Sequence, residues 1–113
     1  PSPLDIQRMG NRAVLRQLAE AGDVHDAVRT IDHMVVFHDK AAAERYAAFV
    51  RSRGFEVTSA AAAESDPKTF QVEFKRQDRA SEIDAIVDEL YEEARKLGGE
   101  YDGWGSEVVK AAK

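Results

Sequence analysis

The sequence predicts an α+β fold: one antiparallel sheet with two helices on a single face and an additional helix at the N-terminus. Three observations carry this. Phe70, Val72 and Phe74 alternate with Thr69, Gln71, Glu73 and Lys75, the period-two pattern of a half-buried antiparallel strand. Ile83, Ile86, Val87, Leu90, Tyr91, Ala94 and Leu97 follow the 3.6-residue period of an amphipathic helix. Glycine and proline punctuate the segments between, at Gly22, Gly54, Pro67 and Gly98-Gly99.

Each element follows in order. Ser2, Pro3 and Asp5 supply a hydroxyl cap, a first-turn proline and a first-turn acid, so a helix runs over 2–22 and stops at Gly22. Gly10 weakens its middle and invites a bend. Arg8, Arg12 and Arg16 recur every fourth residue and share one side, which is either solvated or laid against an acidic surface such as the last helix of the chain. Residues 27–37 read as the first strand, and Asp39 caps a helix that reaches Arg53 before Gly54. Phe55 to Thr58 opens a second strand, while Ala60 to Ala63 suits helix or strand. Ser65-Asp66-Pro67 turns the chain into the alternating strand, and Ser81 with Asp84 caps the last helix. Tyr101 to Val109 supplies the final strand. Helix, then βαββαβ, with right-handed crossovers, predicts a ferredoxin-like sandwich over 27–109 behind the N-terminal helix, one domain over 1–113.

Composition excludes several classes of function. Without cysteine there are no disulfides, thiolate zinc sites or cysteine nucleophiles. With no apolar run of membrane-spanning length and no signal-peptide pattern, the expectation is a cytoplasmic protein away from membranes. The net charge of −5 is unevenly placed. Residues 1–79 balance, whereas residues 80–104 hold eight acidic against two basic side chains, net −6. Such a face repels phosphate backbones, so no direct nucleic-acid contact is expected there, and it attracts basic protein segments or is simply solvated.

Candidate chemistry is sparse. His25, His33 and His38 match no metal-ligand spacing, and His33 shares a strand face with Ile31 and Val35, where a buried imidazole fits. Asp88-Glu89 and Glu92-Glu93 sit at exposed helical spacing and lack the burial that acid-base catalysis needs. No enzyme, metal or cofactor is therefore expected. The densest segment is Gly99-Glu100-Tyr101-Asp102-Gly103-Trp104-Gly105, with the chain's only tryptophan. Tyr101 and Trp104 are three apart, and a regular strand points them to opposite faces, one into the core and one toward a partner. A small-molecule pocket lined by His33, Tyr46 and Trp104 is the alternative use of the fold. A homodimer through an open sheet face bearing Thr69, Gln71 and Glu73 is compatible with either.

Glu100-Tyr101-Asp102-Gly103-Trp104-Gly105-Ser106 closely resembles the Glu-Tyr-Asp-Gly-Trp-Gly-(Thr/Ser) signature of the regulator of ribonuclease activity B family, inhibitors of ribonuclease E. Val14 to Gly22, Thr30-Ile31-Asp32-His33 and Gly54-Phe55-Glu56-Val57-Thr58 resemble that family's N-terminal helix, Thr-Ile-Glu-His strand and Gly-Tyr-Glu-Val-Thr segment. The resemblance implies a ferredoxin-like, non-catalytic inhibitor without a cofactor. It binds the scaffold region of ribonuclease E, or another basic protein segment, and changes RNA turnover. Glu89, Glu93, Tyr101, Asp102 and Trp104 are the expected contact residues, shaped by Gly99, Gly103 and Gly105. Better-known members carry a long acidic C-terminal tail that has no counterpart up to Lys113, which implies weaker inhibition or a different target if that tail holds a basic segment.

Overall fold

A computed structural model of the chain describes residues 2–111. The elements run α1 (Pro3–Glu20), β1 (Val28–Phe37), α2 (Lys40–Ser52), β2 (Glu56–Ala63), β3 (Asp66–Arg79), α3 (Ile83–Lys96) and β4 (Glu100–Ser106). A 3-10 turn, Ala80–Glu82, leads into α3. The strands form one antiparallel sheet in the order β2-β3-β1-β4.

Local chemistry explains most boundaries. The Ser2 hydroxyl accepts the Asp5 N–H while the Asp5 carboxylate accepts the Ser2 N–H, a reciprocal cap at the start of α1. The helix continues through Gly10 without interruption. Asp39 accepts the Ala42 N–H at the start of α2. Ser81 does not cap α3 as expected; it lies inside the 3-10 turn, and no side chain caps that helix. The alanines at 60–63 are strand, because β3 offers them a ladder: Ala60 to Ala62 pair with Val72 to Phe70. Cross-strand hydrogen bonds outweigh a helix propensity of about 0.5 kcal/mol per residue. The last strand ends at Ser106, not Val109; beyond it Lys110 bridges back to Asp23.

Partners directly opposite in an antiparallel ladder share a face. Ile31, His33, Val35 and Phe37 of β1 therefore lie with Arg76, Phe74, Val72 and Phe70 of β3. Both α2 and α3 pack on this side, adding Ala43, Tyr46 and Val50 from one and Ile83, Val87, Leu90 and Ala94 from the other. The opposite face, with Thr30, Asp32, Met34 and Val36 of β1 beside Gln77, Lys75, Glu73 and Gln71 of β3, carries no helix among the described residues. The helix layer is closed by aromatic packing: His33 stacks on Phe74 at 5.3 Å, Tyr46 meets Phe37 at 5.3 Å, and Phe55 stands edge-on to Phe74 at 5.1 Å. The Tyr46 hydroxyl donates to the Leu90 carbonyl, tying α2 to α3.

Arg29 and Asp23, both with side chains 0% exposed, fasten the α1–β1 connection to the segment that follows β4. The Arg29 guanidinium donates to both Asp23 oxygens, at 3.0 and 3.1 Å, to the Val24 and Ala27 carbonyls, and to the Ser106 hydroxyl. Asp23 also accepts the Val109 N–H at 2.7 Å. A buried charge pair persists only when its remaining donors and acceptors are satisfied, and here they are.

Gly98, at φ +80°, turns the chain out of α3. Gly99 is required for another reason: a methyl group there runs into the ring of Phe37, which is fully buried. Gly99→Ala is expected to lose about 1–3 kcal/mol in urea denaturation. Gly10→Ala, whose new methyl meets nothing within 4 Å inside α1, should instead gain up to about 1 kcal/mol.

Candidate functional site

Segment 100–106 is shaped by one irregularity. β1 pairs Met34 with Gly103 but Val35 with Tyr101, so the register steps over Asp102 as a β-bulge. Gly103 takes φ +148°, a backbone state that side chains disfavour. The extra residue reverses the expected alternation. Tyr101 and Trp104 do not point to opposite faces; both lie on the helix side, opposite Val35 and His33.

There they do different work. Tyr101 is 8% exposed, and its hydroxyl lies 2.7 Å from Nδ1 of His33. Trp104 is half-buried against the core, and its indole N–H donates to Oδ1 of Asn11 at 3.0 Å. Asn11, 0% exposed on α1, also donates to Asp84 of α3. Arg12 pairs with Asp84, and Arg8 pairs with Asp88 at 2.6 Å. The arginine stripe of α1 thus lies on the acidic helix of the same chain, except for Arg16, which is in none of these pairs. Trp104 and Asn11 complete the attachment. Tyr101 is thus committed to the core, and the half-buried Trp104 has its indole N–H engaged.

The acidic residues divide into two groups. On α3, Asp84 and Asp88 are engaged by α1, Glu89 faces Arg53 at 3.1 Å and Glu93 faces Lys96 at 3.8 Å. Asp102 lies on the other side of the sheet. It borders an open groove of about 490 Å³ together with Asp32, Glu73, Thr58 and Met34. Gly103 and Gly105, opposite Met34 and Asp32, present bare backbone on the β4 side of the groove beside Asp102. Of the residues the sequence singled out, the groove gathers Asp102, Gly103, Trp104 and Gly105 along β4, with His33 of β1 also in its lining. The sheet and core separate these from Glu89 and Glu93, and Gly99 belongs to the packing of Phe37. Glu73 lies on the open face as the alternation of β3 predicted, whereas Asp32 and Met34 were missed as groove residues; the alternation of β1 places them there once the register is known.

Of the expected pocket of His33, Tyr46 and Trp104, His33 and Tyr46 pack against Phe74 in the core and the Trp104 indole N–H is taken by Asn11; His33 and Trp104 also line the groove, and Tyr46 does not. Among the described residues, no group of three His, Cys, Asp or Glu could hold a metal ion. No helix among them is long and apolar enough to cross a membrane.

A family model described as "Regulator of ribonuclease activity B" matches residues 8–106, from the middle of α1 to the end of β4. The chain belongs to the regulator of ribonuclease activity B family. The protein of that name from Escherichia coli (strain K12) is 32% identical over 117 aligned positions, covering 94% of this chain and 80% of the relative. Its namesake from Proteus mirabilis (strain HI4320) is 34% identical over 107 positions, covering 88% and 73%. That from Salmonella typhi is 33% identical, covering 94% and 80%. In this family member the signature segment is at once the edge of the sheet, the anchor of α1 and one wall of the groove.

His33 lies beneath that wall. Burial, with a smaller contribution from the Arg76 charge, pushes its pKa down from 6.5 to about 3, so the ring is neutral in the folded protein. Burial pushes the Tyr101 hydroxyl up, so it keeps its proton. A protonated Tyr101 hydroxyl donating to Nδ1 leaves the imidazole proton on Nε2, which has no other partner among the rings. The unfolded chain binds a proton at His33 below pH 6.5 and the folded chain does not. Stability therefore falls as pH drops from 6.5 toward 3, by at most about 1.4 kcal/mol per pH unit from this group. Urea titrations at pH 7.5, 6 and 5 should show that His33→Phe removes this part of the slope while lowering stability at pH 7.5.

Proposed function

We propose that this chain is a non-catalytic cytoplasmic regulator that binds the scaffold region of ribonuclease E and inhibits endonucleolytic RNA processing. The observation that carries the proposal is family membership over 8–106, with relatives named for ribonuclease regulation. The charge distribution supports it. The acidic stretch 80–104 suits a basic protein segment and opposes an RNA backbone. The order β2-β3-β1-β4, with both crossover helices on one face, supports reading the core as ferredoxin-like.

In this proposal Glu89 and Glu93 on the outer side of α3 and Asp102 on β4 meet arginine or lysine side chains. Tyr101 and Trp104 act from inside, holding β4 and α1 in place. A basic scaffold segment that orders on binding pays a conformational cost, so modest, salt-sensitive affinity is expected.

Calorimetric titration with the C-terminal scaffold region of ribonuclease E from the same organism, at low and high salt, tests the proposal. Saturable binding that weakens with salt is expected, and none at low salt removes ribonuclease E as the target. Glu89→Lys with Glu93→Lys, the first at an exposed and the second at a partly exposed ion pair, should weaken binding roughly tenfold at low salt while changing the unfolding midpoint little.

A further inference from the structure

The sheet face away from the helices has no covering element among the described residues, and its groove is built for one kind of occupant. Asp32, Glu73 and Asp102 are exposed around it, and none of them forms an ion pair among the described residues. Lys75, a cation on the same face, is held by Glu56 at 3.3 Å. Between the carboxylates lies the thioether side chain of Met34, and beside it the bare backbone of Gly103 and Gly105.

Gly105 is the informative residue. Its backbone is not in the left-handed region, and a methyl group there meets nothing within 4 Å. Neither backbone conformation nor packing within the chain requires glycine. What its missing side chain leaves open is the approach to the groove, and close approach of another molecule is one established use of a strand glycine.

We infer that this groove is the seat of an arginine side chain from a basic protein segment, and that the open sheet face is a docking surface for that segment. The inference rests on the regulator reading for the biological source of the segment, and on the groove alone for its chemistry. A guanidinium is flat enough to lie on the glycine backbone. Its stem covers Met34, and its several N–H donors serve more than one carboxylate. Charge complementarity rejects the other occupants. A second copy would bring the same acidic face, and a nucleic acid would bring phosphates.

The test uses the full chain, labelled with nitrogen-15, and two probes: the ribonuclease E scaffold region and a blocked ten-residue peptide of alternating arginine and alanine. With either probe, amide shifts should concentrate at Asp32, Met34, Glu73, Gly103 and Gly105. Gly105→Val, which fills the groove in a strand-favouring residue, should lower scaffold affinity at least tenfold. Asp32→Asn with Glu73→Gln should do the same through charge alone, and serves if the valine variant fails to fold. If the scaffold binds wild type and both variants equally, with shifts confined to α3, the groove is overturned and the regulator reading stands. If the scaffold does not bind but the arginine peptide shifts the groove amides, the ribonuclease reading falls and the groove stands. Absence of groove shifts with both probes overturns the inference. So does sedimentation showing a dimer that Gly105→Val dissociates, since a second copy then covers the face.

Discussion

The unpaired Asp102 sets the direction of every side chain in the signature segment. A strand has period two, so one inserted residue exchanges the two faces for everything on one side of it. With the bulge placed between Tyr101 and Gly103, both aromatic rings go into the helix layer and both Gly103 and Gly105 go to the open face. Without it, Trp104 would give up its hydrogen bond to Asn11 and stand in the groove. The attachment of α1, the environment of His33 and the shape of the groove all depend on this one register shift.

The attachment of α1 shows why acidity counted from sequence overstates the free acidity of the folded chain. Only Asn11 and Leu18 of the helix are buried, so apolar burial contributes little to holding it. Its contacts to the rest of the molecule are largely polar: Arg8 and Arg12 on Asp88 and Asp84, and Asn11 between Asp84 and Trp104. The ion pairs are exposed and individually weak. The asparagine is buried and its side-chain amide donates to Asp84, so removing that acceptor leaves a desolvated donor, which makes it the more demanding contact. Half of the eight carboxylates in 80–104 are already engaged by the chain's own cations, and Glu89 and Glu93 are among them.

Element type was legible in the sequence because periodicity reports burial directly. The apolar sets of α3 and β3 are those found in the core or packed against it, and two of the three arginines in the α1 stripe meet the acidic helix. Three features were not legible. The alanines of β2 carry no pattern of their own and take their state from the β3 ladder. The Asp23–Arg29 pair joins residues that look like ordinary surface charges, and its burial is created by Ser106, Glu107 and Val109, some eighty positions away. The bulge is a property of pairing, so spacing within one strand cannot reveal it, although a glycine after Asp102 is compatible with it. The family signature was visible as a string, but its division between core and surface required the register.

That division has a mechanical consequence. The groove floor is the outer side of the same β1, β3 and β4 segments whose inner side carries His33, Phe74 and Trp104, packed against the helices and α1. The floor is therefore braced from behind by the core, while the acidic rim stays exposed. For a partner segment that must itself become ordered, a braced receptor confines the entropic cost of association to one side of the interface. Substitutions on the rim alter charge at little cost to folding, whereas changes to Tyr101 or Trp104 disturb the brace. The signature thus joins two demands in one strand: its aromatic residues fix the platform, and its acid and glycines shape what the platform presents.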